Sequence, residues 1–87
     1  MRIHITRPTT DGVHIRRASD SDLPQLRRLA HLDDRRVPRG ELVLAEEGGE
    51  IRAAIAADGS SAIADPWRPT ARMVEALRAW TAVTPMA

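Results

Sequence analysis

Two histidines in similar surroundings, His4 within Ile3-His4-Ile5 and His14 within Val13-His14-Ile15, are the first residues here whose type and spacing suit chemistry. If the two segments pair, both imidazoles could approach one metal ion, but a protein site needs at least a third ligand. His31 falls on a different element and the chain has no cysteine, so no metal site is expected. The lack of cysteine also removes a disulfide framework and a thiol nucleophile. Gly-x-Ser-x-Gly is absent, so there is no nucleophile elbow, and Ser60 and Ser61 read as turn residues. With no tyrosine in the chain, acid–base work would fall to His, Asp or Glu. All 13 basic residues are arginine. The pairs Arg16-Arg17, Arg27-Arg28 and Arg35-Arg36 lie on different elements without aromatic residues between them to stack on bases. With a net charge of +1 they read as solvated surface, and no nucleic-acid partner is expected.

The elements that would position such groups follow from periodicity. Val13-His14-Ile15 alternates apolar and polar, as a half-buried strand does. Ile3-His4-Ile5 does the same ahead of a turn-rich stretch, so residues 1–12 form either an edge strand or an N-terminal arm. Ser19 and Asp22 have capping-box spacing and predict a helix over about Ser21 to Leu32, with Pro24 tolerated in its first turn. Its period turns Leu23, Leu26, Leu29, Ala30 and Leu32 or Asp33 inward and Gln25, Arg28 and His31 outward. A loop over 33–40 follows. Leu42 to Glu46 and Ile51 to Ala57 flank Glu47-Gly48-Gly49-Glu50, the clearest turn signal in the chain, since paired glycines supply the positive φ of a tight hairpin. Asp58-Gly59-Ser60 turns into a short strand, Ala62-Ile63-Ala64. From Thr70, a predicted N-cap, to about Val83, the residues Met73, Val74, Ala76, Leu77 and Trp80 make one apolar stripe, with Arg72, Glu75 and Arg78 outside it. Trp67 is expected to cap the core at the strand-to-helix junction. The fold class is α+β in the order strand, helix, three strands, helix, with a mostly antiparallel sheet and a single domain over 13–84.

In this order, Ile15-Arg16-Arg17-Ala18-Ser19 through Asp22-Leu23-Pro24, the leucine-rich helix, the Gly-Gly hairpin and Ala62-Ile63-Ala64-Asp65-Pro66 resemble the N-terminal half of the GNAT acetyltransferases. The likeness covers residues 13 to about 83. It implies a loop after the last strand whose backbone N–H groups, at a helix N-terminus, hold the pyrophosphate of acetyl-CoA. The matching positions are Ile63, Ala64, Arg68, Thr70, Ala71 and Arg72. On the same resemblance, Glu46 and Asp65 are the acids that would lie near a cleft; each reads first as a solvated strand-end carboxylate and otherwise as the candidate catalytic group.

The chain departs from that pattern at the loop itself. Ala71 and Met73 stand where glycine or a small residue is wanted, Pro69 has no N–H to donate, and no glycine follows Gly59. The later strand and helix that complete the cleft in the family, with their tyrosine acid, have no counterpart in this sequence. The implied function is a degenerate, non-catalytic binding or assembly module, with at most weakly bound acetyl-CoA; the alternative is a minimal N-acetyltransferase completed by self-association. Composition adds to the case for association. Of 87 residues, 14 are alanine and two are aromatic, so the core is thin, and a last strand left at the edge of the sheet is open to pairing. A homodimer joined through that strand or the last helix is expected. No apolar run approaches the roughly 18 residues that span a bilayer, and residues 1–12 lack the apolar region of a secretory signal. A cytoplasmic protein without a membrane partner is expected.

Overall fold

The computed structural model describes residues 12–83, which form a four-stranded antiparallel sheet with one helix on each face. Strands β1 (Val13–Arg17), β2 (Leu42–Glu47), β3 (Glu50–Ala56) and β4 (Ala62–Ala64) lie side by side in chain order. Helix α1 (Leu23–Leu32) joins β1 to β2, and α2 (Ala71–Val83) follows β4. The expected α+β class and element order are therefore found. The N-terminal arm or edge strand, and His4 with it, lie outside the described residues. No helix among the described residues is long and apolar enough to cross a membrane.

Both central strands are buried on both faces, because each face carries a helix. Leu42, Leu44, Ala54, Ala56 and Ile63 pack beneath Leu26, Leu29 and Ala30 of α1. Val43, Ala45, Ala53 and Ile55 turn the other way, toward Leu77, with Met73, Val74, Ala76 and Trp80 packed around that cluster. The α2 stripe is as expected, and Arg72, Glu75 and Arg78 are exposed. The core is rich in alanine on both sides, so few large side chains carry the packing: Leu44, Ile55, Ile63, Leu77 and Val43 are the largest that are fully buried.

The hairpin turn forms as the glycines dictate, with φ of 61° at Gly48 and 83° at Gly49, the doubly positive pair of a type I′ turn. Two residues further on, β3 bulges. Pairing passes from Glu46↔Ile51 to Ala45↔Ala53, which leaves Arg52 without a partner across β2. A bulge shifts the phase of alternation. Ile51 therefore faces α1 while Ala53 and Ile55 face α2, although strict alternation would put all three on one side.

Several local expectations need correction. The helix predicted from Ser21 begins as a 3₁₀ turn over Asp20–Asp22, and the α-helical part starts at Leu23. There the Ser19 N–H donates to Asp22 Oδ2 at 2.7 Å. Leu23 and Leu32, expected inward, are 38% and 37% exposed, because they sit at the two ends of α1 beyond the sheet residues that cover its middle. Gln25 lies on the exposed side of α1 as expected, yet its Oε1 accepts from the Ile51 N–H at 3.1 Å. Past the other end of α1, Asp33 Oδ2 accepts from the Ala64 N–H at 3.1 Å. That bond corrects the picture of an unguarded β4 edge. A carboxylate seated on an edge N–H blocks strand addition at that point as effectively as an inward-pointing charge. Thr70 does hold the expected N-cap position, its carbonyl accepting the Val74 N–H at 3.0 Å, and its hydroxyl donates back to the Asp65 carbonyl at 3.4 Å.

Candidate functional site

The residues singled out by sequence fall into three places. Glu46, near the end of β2, faces Arg16 of β1, whose Nε donates to Glu46 Oε1 at 3.2 Å. The same guanidinium holds Asp22 through two bonds of 2.9 Å, Nη1 to Oδ2 and Nη2 to Oδ1. Asp22 is buried, and the Arg16 guanidinium holds its carboxyl down at about 2, against an ordinary value of 3.8, with the Ser19 N–H helping. In turn the two carboxylates push Arg16 further up. This cluster ties β1, β2 and the start of α1 together, and it engages the Glu46 carboxylate that acid–base chemistry would require.

Asp65, directly after β4, organises the loop that leads to α2. Its N–H donates to the Arg52 carbonyl at 2.9 Å, its Oδ1 accepts from the Trp67 N–H at 2.8 Å, and its own carbonyl receives the Arg68 N–H at 3.4 Å. The backbone donors of Trp67 and Arg68 are thereby turned inward onto one residue. Next comes Pro69, which has none. Of the remaining coenzyme-loop candidates, Ile63 is buried beneath α1, Ala64 packs on the α2 side, Thr70 is buried, and Ala71 and Arg72 are exposed on the first turn of α2. Glu46 and Asp65 thus belong to separate ion-pair groups that share no partner among the described residues.

The third place was not legible in the sequence. Arg52, set apart by the bulge, is only 13% exposed in its side chain and lies among three acids: Glu50 at 2.8 Å, Glu47 at 3.8 Å and Asp65 at 3.9 Å. Its Nε is buried and makes no hydrogen bond among the described residues. Beside it, between α1, β3 and the β4–α2 loop, opens a cleft of about 290 Å³. Leu29, Leu32 and Ile51 give it an apolar lining; Arg28, Arg52 and Arg68 bring positive charge, and Glu50 and Asp65 negative charge. Trp67 completes the lining and is 80% exposed. This overturns its expected role as a core cap. The turn at Asp65 directs the chain, and the indole with it, outward.

Among the described residues no three His, Cys, Asp or Glu side chains group as metal ligands. Comparison with models of known protein families, with curated proteins and with solved structures finds no match to this chain. The likeness to acetyltransferases therefore stands on the residue pattern alone.

Proposed function

We propose that this chain is a GNAT-like half domain serving as a non-catalytic binding or assembly unit that associates with itself. The observation that supports the non-catalytic reading is the Asp65-centred loop. Where a coenzyme pyrophosphate would need outward N–H groups, those of Trp67 and Arg68 are committed to Asp65, and Pro69 offers none. The two candidate acids are likewise engaged by arginines. Titrating acetyl-CoA calorimetrically is expected to give an affinity no better than the high micromolar range, about −5 kcal/mol or weaker. Micromolar or tighter binding would refute this reading in favour of the minimal N-acetyltransferase. In that event Arg68→Ala should weaken binding, since a guanidinium contributes charge-assisted hydrogen bonds to phosphate.

For self-association, the flank of α2 is the better surface now that Asp33 covers part of the β4 edge. Trp80 and Met73 pack on the core yet keep part of their surface exposed, and Val83 at the helix end is 79% exposed. Half-buried tryptophans are common anchors of interfaces. Sedimentation equilibrium from low to high micromolar protein should show a monomer–dimer equilibrium, weakened in Trp80→Ala by about 2 kcal/mol. A concentration-independent mass of 9.6 kDa would refute the dimer.

A further inference from the structure

We infer that the cleft between α1, β3 and the β4–α2 loop binds a small planar aromatic anion, a ring bearing a carboxylate or a phosphate. The inference rests on the domain being a binding unit, and it names what is bound. Three features carry it. The first is a pair of guanidinium groups with no carboxylate partner among the described residues. Glu50 and Asp65, the acids of the cleft, are both within ion-pair distance of Arg52. Arg28 and Arg68 also line the cleft, and neither forms an ion pair among the described residues. Guanidinium groups present planar forks of donors that match carboxylate and phosphate oxygens.

The second is the indole. Water solvates four-fifths of Trp67 at the edge of an otherwise half-apolar cleft, although it is one of only two aromatic side chains in a chain with a thin core. An exposed ring beside arginines offers a flat face for stacking. Its backbone is fixed by the Asp65 bond, so the ring is presented from an ordered turn. The third is size. About 290 Å³ is at the lower end of ligand pockets and admits a one- or two-ring molecule rather than a polymer or a long cofactor. Leu29, Leu32 and Ile51 would contact the ring edge, while Arg28 and Arg68 take the anion.

The indole N–H of Trp67 gives a direct readout in ¹H–¹⁵N spectra of the uniformly labelled chain, assigned by its loss in Trp67→Ala. Benzoate and phenyl phosphate are the probes, with cyclohexanecarboxylate and benzamide as controls lacking the aromatic ring and the charge. Saturable movement of the Trp67 resonance, with a Kd near or below about 1 mM for at least one of the two anions, is expected; which of them binds tighter tells carboxylate from phosphate. The backbone resonances of Trp67→Ala, and of the double variant Arg28→Ala with Arg68→Ala, should report binding weakened about tenfold or more. These side chains are exposed, so neither variant should unfold the domain. No saturable movement up to about 10 mM of either anion overturns the inference. So does unchanged affinity in both variants, or equal binding of the controls. Calorimetry with acetyl-CoA and sedimentation test the broader reading separately, because neither depends on whether this cleft is filled.

Discussion

Leu77→Ala is expected to cost about 3 to 5 kcal/mol. Leu77 is the one buried residue of α2 and has no exposed surface. It packs on Val43, Ala45, Ala53 and Ile55. Two of the six other buried members of that cluster are alanines, which have no side chain to swing into the space a lost isobutyl group would leave. A domain of this length holds about 4 to 13 kcal/mol in total. The variant should therefore lie close to its unfolding midpoint without denaturant, or keep the sheet and lose α2. Leu77→Met, which conserves volume, should cost less than about 1.5 kcal/mol. Urea unfolding followed by far-ultraviolet circular dichroism and by tryptophan emission decides it. A loss under about 1 kcal/mol for the alanine variant would mean that α2 adds little to the fold.

Acid should unfold the protein through Asp22. Its carboxyl is held at about 2 in the folded chain, chiefly by hydrogen bonds from Arg16, against 3.8 ordinarily. The folded state thus binds the proton more weakly than the unfolded state does. The stabilisation is complete above roughly pH 4 and is lost as pH falls through the window from there to about 2, amounting to about 2 kcal/mol. Asp22→Asn removes this contribution. At neutral pH the variant should be less stable by about that amount, since its amide cannot replace a carboxylate that takes two bonds from one guanidinium. As the pH approaches about 2 the two proteins should converge. Urea midpoints measured from pH 2 to 7 check this, and parallel acid limbs for the two would remove Asp22 as the cause.

What sequence reading recovers and what it misses divide along the range of the interactions. The Gly48-Gly49 hairpin, the inward face of α1 around Leu26 and Leu29, and the α2 stripe around Leu77 are encoded within a turn or two of chain, where backbone preference and apolar period act. The bulge is hidden because Ile51 to Ala57 is apolar on both faces apart from Arg52, and a pattern without polar alternation cannot show a phase slip. Arg16 and Glu46 meet across 30 residues, and Asp33 and Ala64 across 31, distances at which no local signal exists. Glu46 and Asp65 are correctly placed at strand ends. Their commitment to Arg16 and Arg52 depends on which strands become neighbours and on where β3 bulges, so their availability for chemistry cannot be read along the chain. Trp67 shows the limit of hydrophobicity as a guide: the Asp65-Pro66 turn before it outweighs the pull of a large apolar ring toward the core.

The two oxygens that α1 and its C-terminal turn lend to the sheet, Gln25 Oε1 to the Ile51 N–H and Asp33 Oδ2 to the Ala64 N–H, bind backbone protons on two different strands. Eight residues of helical rise separate the donors' partners, about 12 Å along the axis. Each proton is bound by a side-chain oxygen from the helix or its end, so lifting the helix away breaks both bonds at once. Their deuterium uptake should therefore be slow and matched, set by the free energy of undocking α1 instead of by the fraying of a short hairpin or a three-residue strand. Anything that bridges α1 to β3 and the β4–α2 loop would slow both together, and the pair of amides becomes a built-in gauge of whether the cleft beside them is open or occupied.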